Sequence, residues 1–275
     1  MHIPERLLQR LMLLGLEPSI YATRSRKCVL SRAPLNLEPV PWYRHAYYLP
    51  DDFAERKYYF ILDPVSIVPC LALEPQQGDA ILDMCAAPGA KTFILSFLTG
   101  NQAGIVANDI DRARIRRLQN NVARFRLNAA ISNMSGRKLA GQYDKILLDA
   151  PCSGEGMVNK ARKVFATWSE KRVMAFARKQ KRLLAHAFGL LAENGILVYS
   201  TCTFAPEENE AVVSHLLEQF PDAVVEHIAI NGLRHAYGVA EWDGSKFAGQ
   251  IRQCLRIYPQ HNHTSGFFVA RIRKR

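Results

Sequence analysis

The chain has 275 residues, and 48% of them are hydrophobic, which is enough for one sizeable folded core together with a small extension. Its 36 lysines and arginines outnumber its 25 acidic residues, and the formal net charge is +11. A surplus of this size suits a polyanionic partner. On charge alone, an ordinary solvated basic surface is equally compatible.

Neither a membrane span nor a metal site is predicted. A helix that crosses a bilayer needs about 20 apolar residues in a row, and the chain has no such run. Four charged residues among the first 20 argue against a secretion signal. The six cysteines lie at positions 28, 70, 85, 152, 202 and 254, without paired metal-ligand spacing. We therefore expect reduced thiols and a cytoplasmic protein.

The first 60 residues differ in pattern from the rest of the chain. Apolar residues recur at helical spacing between Leu7 and Leu14, which predicts a short amphipathic helix over residues 3–15. Residues 20–50 are rich in proline, aromatic and basic residues, and they predict short strands and turns. We expect the aromatic side chains to pack this extension onto the main domain. Its arginines are candidates for phosphate contacts.

From residue 58 onward, predicted strands and helices alternate. A strand that runs into a helix near Asp63 comes first. The later strands are predicted at residues 80–84, 104–108, 129–134, 145–149, 196–201, 223–228 and 266–272. The later helices are predicted at residues 90–98, 111–125, 168–191 and 206–219. This alternation predicts a doubly wound, mostly parallel sheet with helices on both faces.

Two other segments carry specific expectations. The acids Glu207, Glu208 and Glu210 are predicted to begin the helix at 206–219, where negative charge suits the helix dipole. Residues 231–263 show no regular pattern and predict a surface excursion. Basic residues are concentrated in the helices at 111–125 and 168–191 and in the segment 160–163. Most of these should be ordinary solvated charges, but the segment at 160–163 closely follows Cys152 and should lie near any site there.

Chemistry-bearing residues stand where two apolar strands end. Cys202 follows the strand at 196–201, and Asp149 and Cys152 follow the strand at 145–149. The carboxyl ends of parallel strands meet at one edge of a sheet, where α/β proteins bind their ligands. The pattern therefore predicts a reactive site at that edge. The alternative for any free cysteine is a small buried hydrophobic residue.

The segment from Asp83 to Thr92 joins the first sheet strand to its helix, which is a usual place for a nucleotide-type ligand. A dinucleotide signature needs three glycines, and only Gly89 is present, so NAD and FAD are disfavoured. S-adenosylmethionine has no pyrophosphate and needs only a tight turn. Asp109 ends the next strand, where an acid binds ribose hydroxyls. The alternative is a plain tight turn with a helix-capping acid.

Five motifs together carry a family resemblance. They are DMCAAPGAKT (83–92), AND (107–109), KILLDAPCSGEGM (145–157), VYSTCTFAPEENEAV (in the 196–212 region) and GFFVARIRK (266–274). With them the chain resembles the Nop/Sun family of RNA cytosine-5 methyltransferases, close to its bacterial small-subunit rRNA members and its short archaeal members. The resemblance runs from about residue 60 to the C-terminus. The Asp-Ala-Pro-Cys and Ser-Thr-Cys pair is its most specific part.

The resemblance implies a Rossmann-like class I methyltransferase fold, whose last strand is antiparallel, over residues 61–275. Residues 1–60 depart from the family, and their basic and aromatic residues predict a small N-terminal RNA-recognition extension. The implied cofactor is S-adenosylmethionine. The residues that the resemblance assigns to it are Cys85, Ala86, Ala87, Pro88, Gly89, Ala90, Lys91, Asp109, Arg114, Ser135 and Asp149. Ser135 departs from the family, which usually has an aspartate there, and this predicts weaker cofactor binding.

The resemblance also implies the catalytic roles. Cys202 would attack carbon 6 of a cytosine, and Cys152 would assist release of the product. Asp149 would hydrogen-bond ring nitrogen 3 of the base, and Lys91 would orient Asp149. The target base would have to leave its stack to reach such a pocket.

Three functions remain to be distinguished. The first is an RNA methyltransferase that acts as a monomer on tRNA or rRNA, without membrane or metal. The second is a non-catalytic RNA-binding or ribosome-assembly factor, which would need neither the cysteine pair nor Lys91 and Asp149. The third is a methyltransferase for DNA or a small molecule. A DNA cytosine-5 enzyme would use Cys152 as its nucleophile and would not need Cys202.

Overall fold

A computed structural model describes residues 3–53 and 58–275 of the chain. The strands are β1 (Lys27–Leu30), β2 (Ala46–Leu49), β3 (Ala80–Asp83), β4 (Gly104–Asn108), β5 (Ala129–Ser132), β6 (Tyr143–Asp149), β7 (Leu191–Thr201), β8 (Ala223–Glu226), β9 (Ala236–Tyr237), β10 (Glu241–Trp242), β11 (Ser245–Lys246), β12 (Leu255–Ile257) and β13 (Phe267–Lys274). The helices are α1 (Glu5–Leu13), α2 (Ile67–Leu73), α3 (Ala90–Leu98), α4 (Arg112–Arg124), α5 (Ala161–Thr167), α6 (Glu170–Gly189), α7 (Glu210–Gln219) and α8 (Pro259–Asn262).

Five parallel strands form one half of a nine-stranded sheet, in the order β5-β4-β3-β6-β7. The central residues of β3, β6 and β7 are mostly aliphatic and buried because helices cover both faces of the sheet. The order runs outward in one direction from β3 and in the other from β6. This reversal opens a crevice at the carboxyl ends of the two strands.

Antiparallel strands complete the other half of the sheet. β13 pairs with β7, and then β12 pairs with the first part of β13 and β8 with its last part. The fold class predicted from the sequence is confirmed, including the antiparallel last strand. The expectation for residues 231–263 is wrong in part, because β12 and β9 in this segment extend the sheet. Arg256 on β12 is among the largest fully buried side chains.

Each face of the sheet carries its own core. On one face, Ile67 and Leu73 of α2 pack with Ile94 of α3 and with Cys28 and Tyr48 of the N-terminal hairpin β1–β2. The other face packs against α6 and α7. Leu7 and Leu11 of α1 join a smaller cluster with Val164 and Phe165 of α5. The N-terminal extension therefore packs on the sheet and on the segment that follows Cys152.

The division of the chain at residue 60 stays a prediction, because nothing in the structure marks a boundary there. Residues 1–2 and 54–57 of the predicted extension lie outside the described part. Within that part, no helix has the length and apolar character needed to span a bilayer.

Most predicted elements form where the sequence places them. The helix at 90–98 and the strand at 104–108 have the predicted bounds. The predicted α4 and α6 begin at side-chain caps, in which Asp111 accepts from the Ala113 and Arg114 amides and Ser169 accepts from the Arg172 amide.

Two local predictions are wrong, and one helix was not predicted. Residues 58–62 form no strand but a single bridge between Leu62 and Cys28, and the helix α5 was not predicted. The last correction concerns α7, which begins at Glu210 rather than at residue 206. The side chain of Asn209 bonds Thr203 O and Thr201 Oγ1 instead of continuing the helix backwards.

Candidate active site

The carboxyl ends of β3, β4, β6 and β7 border one cavity of about 910 Å³. The predicted site residues on its wall are Cys85, Asp109, Arg114, Ser135, Asp149, Cys152 and Cys202. Lys91 borders a second cavity of about 260 Å³, which shares five wall residues with the first, Asp149 and Cys202 among them. The two cavities therefore adjoin, and they lie at the crevice where α/β sheets bind ligands.

The loop between β3 and α3 turns sharply at Gly89. Its φ of 104° lies in the left-handed region, and an added Cβ would stand 2.9 Å from Leu118 Cδ1, so glycine is required here. Cys85 reaches the wall of the larger cavity. The other predicted loop residues, Ala86, Ala87, Pro88, Gly89 and Ala90, do not line it. Their part in cofactor binding stays a prediction.

Asp109 is buried just after β4, with its carboxylate held in place by three groups. Oδ2 accepts from the Ala87 amide at 3.2 Å and stands 3.2 Å from Arg114 Nη1. Oδ1 accepts from the Asp111 amide at 3.0 Å. Arg114 also donates to Ala87 O, so it ties the cofactor loop to the acid. The guanidinium of Arg114 thus compensates the charge of this carboxylate at the cavity edge.

The side chain of Asn108 joins two segments of the cavity wall, a role that was not predicted from the sequence. Its Nδ2 donates to Met84 O at 3.1 Å and to Met134 O at 3.2 Å, and its Oδ1 accepts from the Met134 amide at 3.1 Å. One side chain therefore joins the end of β3 to the loop after β5. Ser135, the next residue in that loop, borders the cavity. Asn108 belongs to the AND motif (107–109), which points to this part of the chain. The motif alone does not show which of its residues bonds the backbone of neighbouring loops.

Asp149 and Lys91 form an ion pair where the two cavities meet. Lys91 Nζ lies 2.7 Å from Asp149 Oδ2, and Ser200 Oγ donates to Asp149 Oδ1 at 3.0 Å. Burial lowers the pKa of Lys91, but the charge of Asp149 and their hydrogen bond raise it more, so the ammonium form is favoured. Lys91 Nζ also stands 5.1 Å from the centre of the Phe267 ring. The carboxylate of Asp149 is thus fixed between two donors.

The two strand-end cysteines lie side by side. Cys152 Sγ and Cys202 Sγ are 3.1 Å apart, and both thiols are free. The hydrogen bond with Cys202 raises the pKa of Cys152, and burial adds to the effect. Cys152 is therefore favoured in its thiol form beside Cys202. Of the other cysteines, Cys85 lines the larger cavity, and Cys28, Cys70 and Cys254 are buried among core residues.

The segment after Cys202 contains a buried carboxylate that the sequence analysis misplaced. Glu208 was expected to begin the helix at 206–219, yet it precedes α7 and is fully buried. Its Oε2 accepts from the Ser153 amide at 3.0 Å and from Gln180 Nε2 at 2.9 Å. Burial raises the pKa of Glu208 to about 7. The cluster of acids in the sequence suggested a helix dipole, whereas the backbone of the Cys152 segment is what this acid binds.

The acids on either side of Glu208, Glu207 and Glu210, bind other partners. Glu210 forms a fully buried, bidentate ion pair with Arg256, with both N–O distances 2.6 Å. Arg256 Nη1 also donates to Phe204 O at 3.0 Å, two residues beyond Cys202. Glu207 pairs with Arg10 at 2.6 Å and accepts from Trp242 Nε1 at 3.0 Å. These bonds hold the segment between β7 and α7 to Arg10 of α1, Trp242 of β10 and Arg256 of β12.

Six basic side chains also line the larger cavity, in addition to Arg114. They are Arg137, Lys160, Lys163, Arg172, Lys179 and Arg182. The expectation that the segment at 160–163 lies near the site agrees with the positions of Lys160 and Lys163. On the helix α4, Arg114 lines the cavity, whereas Arg112, Arg116 and Arg117 do not. Phe176 lies on the same wall, with Arg172 Cζ 5.2 Å from its ring centre.

These features fit S-adenosylmethionine. The volume of the larger cavity falls in the range of small-molecule sites. One end has the carboxylate of Asp109, a group that can accept hydrogen bonds from hydroxyls, and the exposed apolar side chain of Ile110, a kind of surface that suits a purine face. The other end has the two cysteine sulfurs. A methyl donor bound between these ends would face Cys202 and Asp149.

Known proteins are similar in sequence to this chain over most of its length. Residues 70–273 match the family described as 16S rRNA methyltransferase RsmB/F. A Pyrococcus abyssi protein named tRNA (cytosine(49)-C(5))-methyltransferase is 38% identical, with 86% of this chain and 80% of that protein covered. A Vibrio atlanticus protein named Ribosomal RNA small subunit methyltransferase F is 39% identical over 86% of this chain. This chain spans only 52% of the length of that relative.

Solved structures give the same result. A methyltransferase homolog protein from Pyrococcus horikoshii superposes with a TM-score of 0.80 at 27% identity, over 99% of this chain and 100% of that one. NSun6 from Pyrococcus horikoshii, solved with the S-adenosylmethionine analogue SFG, superposes with a TM-score of 0.67 at 30% identity, over 88% of this chain and 56% of that one. With the family match over residues 70–273, these findings show that the chain belongs to the RsmB/F methyltransferase family.

Proposed function

We propose that this chain transfers a methyl group from S-adenosylmethionine to carbon 5 of a cytosine in structured RNA, through a covalent bond between Cys202 and the base. The observation that carries the proposal is the 3.1 Å approach of Cys152 and Cys202 beside the Lys91–Asp149 ion pair. A non-catalytic RNA-binding factor needs none of these four side chains. The names of the relatives as tRNA and rRNA methyltransferases support RNA as the substrate class.

The need for a nucleophile follows from the chemistry of cytosine. Carbon 5 is too weakly nucleophilic to accept a methyl group unaided. When the thiolate of Cys202 adds to carbon 6, a sulfur–carbon bond forms and the electron pair of the 5,6 double bond becomes available at carbon 5. S-adenosylmethionine, when bound, supplies an electrophilic methyl group on a sulfonium sulfur. The residues at the cofactor end, Asp109 and Ser135 among them, hold the donor.

Asp149 and Lys91 stabilise the charge that develops on the base. As sulfur adds to carbon 6, negative charge spreads to ring nitrogen 3, which takes up a proton from solvent and donates it in a hydrogen bond to the Asp149 carboxylate. Lys91 Nζ, 2.7 Å from Asp149 Oδ2, keeps the carboxyl group oriented towards the smaller cavity. Ser200 holds its other oxygen. Fixed donors of this kind cost no reorganisation during the reaction.

Cys152 serves the second half of the reaction. As solvent water takes the proton on carbon 5, the electron pair of that C–H bond re-forms the 5,6 double bond. The bond between carbon 6 and Cys202 breaks, and Cys202 departs with its electron pair as a thiolate. A thiol that donates a hydrogen bond to the departing sulfur stabilises that thiolate. Cys152 is suited to this because its raised pKa keeps it protonated and its sulfur lies 3.1 Å from that of Cys202.

The N-terminal extension is the proposed RNA-recognition element, with residues 61–275 as the methyltransferase domain. Lys27 of β1 and Lys160 line the smaller cavity together. A further cavity of about 580 Å³ lies between Arg24–Lys27 and Asn159, and it shares Lys27 and Asn159 with the smaller cavity. Two hydrogen bonds of 3.3 Å join the Asn159 side chain to the Ser25 backbone. RNA phosphates beside the target base would meet these cations.

The test is methyl transfer from isotope-labelled S-adenosylmethionine to total RNA, to tRNA, to small-subunit rRNA and to DNA. We expect label in RNA and none in DNA, removed by the substitution Cys202→Ala. Bisulfite sequencing of total RNA from cells with and without this gene should then identify the cytosine. Label in DNA that depends on Cys152 instead, or a lack of label in every RNA, would refute the proposal.

A further inference from the structure

Two buried polar side chains hold the backbone on either side of Cys152. Gln180 Nε2 donates to Pro151 O at 2.9 Å, just before the cysteine. Glu208 Oε2 accepts from the Ser153 amide at 3.0 Å, just after it. The two side chains also bond each other, since Gln180 Nε2 donates to Glu208 Oε2 at 2.9 Å. We call Gln180 and Glu208 the clamp.

The clamp joins the two cysteine segments and α6. Gln180 lies on α6, and Glu208 lies in the segment after Cys202, where Tyr199 Oη donates to its carbonyl oxygen at 2.5 Å. Further bonds tie the same segments together, with Ser153 Oγ 2.7 Å from Thr203 Oγ1. Three elements therefore converge on one tripeptide, and the position of the Cys152 sulfur depends on them.

This arrangement is costly for the fold. Glu208 and Gln180 are both 0% exposed. In the part of the chain that the structure describes, the Oε1 atom of each is buried without a hydrogen-bond partner. Buried acceptors left unsatisfied destabilise a protein, and apolar residues would fill the same space at less cost. The clamp therefore calls for an explanation other than packing.

The contacts of the clamp are confined to the neighbourhood of Cys152. The hydrogen bonds of the Glu208 and Gln180 side chains end beside Cys152, and within the described residues none reaches Cys202 or Asp149.

We propose that Glu208 and Gln180 are positioning residues for Cys152, and that they act on release of the methylated RNA rather than on formation of the Cys202 adduct. This inference rests on the release role of Cys152 in the proposed function. A displacement of about 1 Å in a reacting group can cost roughly a hundredfold in rate. Loosening the clamp should displace Cys152, whereas Cys202 stays anchored through β7.

The experiment measures adduct formation and decay separately. The full chain is mixed in excess with S-adenosylmethionine and a short RNA that carries the target cytosine, and the protein–RNA adduct is followed over time on denaturing gels. The variants are Glu208→Ala, Gln180→Ala and Glu208→Gln. The last keeps an acceptor oxygen for the Ser153 amide in a side chain of the same shape. Thermal unfolding of each variant shows whether it is folded.

A matched control removes a comparable pair of buried bonds elsewhere. Asn262 is 5% exposed and makes two hydrogen bonds to the backbone of Arg234, at 3.1 and 2.7 Å. It lines none of the cavities described above. The substitution Asn262→Ala therefore tests whether any loss of a buried polar side chain slows release.

We expect Glu208→Ala to form the adduct within about threefold of the wild-type rate and to resolve it roughly tenfold more slowly. Gln180→Ala should show the same direction, Glu208→Gln should release nearly as wild type, and Asn262→Ala should not accumulate adduct. Equal slowing of formation and decay in Glu208→Ala and Gln180→Ala would overturn the inference. Adduct in Asn262→Ala would do so too. If Glu208→Ala does not fold, normal release by Gln180→Ala is enough to overturn it.

Cys152→Ala on the same gels separates this inference from the proposed function. If that variant accumulates no adduct, the release role of Cys152 is itself wrong. If it accumulates adduct and both clamp variants release normally, only the clamp is wrong.

Discussion

Cys152 and Cys202 are chemically identical residues at the ends of the neighbouring parallel strands β6 and β7, and they have different surroundings. Cys202 borders both cavities, and in the described part of the chain the smaller cavity does not reach Cys152. The β7 ladder holds the start of the Cys202 segment, with Ser200 paired to Val269 and Thr201 to Phe268. Cys152 lies between residues that buried polar side chains hold.

The difference shows how one pair of sulfurs can divide a reaction. A nucleophile must reach the base, and Cys202 has access to the cavity that contains Asp149 and Lys91. A proton donor must remain protonated next to the nucleophile, and the raised pKa of Cys152 has that effect. Strand position therefore brings the sulfurs together, and cavity access with local hydrogen bonding assigns their roles.

The largest effect should come from Cys202→Ala. Because no sulfur then reaches carbon 6, methyl transfer should fall by roughly four orders of magnitude or more. Labelled methyl transfer measures this, and calorimetric titration with S-adenosylmethionine should show unchanged affinity, since the cofactor end of the cavity is intact. If this variant keeps more than a trace of methyl transfer, Cys202 is not the nucleophile and the contrast drawn between it and Cys152 is wrong.

Cys152→Ala should have a different effect. Addition to carbon 6 and methylation should continue, and loss of the thiol donor should slow departure of Cys202 by roughly ten- to a hundredfold. A slowly migrating protein–RNA band on a denaturing gel, sensitive to ribonuclease, measures the trapped adduct. If the adduct instead accumulated with Cys202→Ala and not with Cys152→Ala, the two roles would be exchanged.

The sequence was sufficient to predict where the two sulfurs meet. Parallel strands that end in Asp149 and in Thr201 must bring Cys152 and Cys202 to one edge of the sheet, and period and length identify those strands. The fold class followed from the same alternation. Local signals such as the Asp111 cap also fixed the start of α4.

The parts that escaped prediction depend on tertiary contacts. A run of acids before a helix looks the same in sequence whether the acids are solvated or buried. Only the folded chain shows that Glu208 faces the Ser153 amide and Glu210 faces Arg256. Likewise, β12 is three residues long and has meaning only beside β13. Asn108 contacts residues 24 and 26 positions away, which no local pattern reveals.

A smaller effect is expected at the cofactor end of the cavity, away from the sulfurs. Ser135→Asp should supply the charged acceptor typical of the family and lower the dissociation constant of S-adenosylmethionine by about fivefold, roughly the difference between a charge-assisted and a neutral hydrogen bond. Calorimetric titration measures it, with Ser245→Asp on the exposed β11 as the control. An unchanged or higher dissociation constant would remove Ser135 from the cofactor site.

The smallest effect concerns the cavity that Cys202 reaches and Cys152 does not. Lys27 lines it from the N-terminal extension, so a phosphate next to the target base should release a counterion there. Lys27→Gln should reduce the slope of log binding constant against log salt concentration by about 0.7, the value for one phosphate of a single strand. Filter binding between low and moderate salt measures the slope. Lys246→Gln, which removes an exposed lysine on β11, should leave it unchanged. Equal slopes for Lys27→Gln and the wild type would mean that RNA reaches Cys202 by another side of the cavity, because a phosphate contact cannot be lost without a change in the salt dependence.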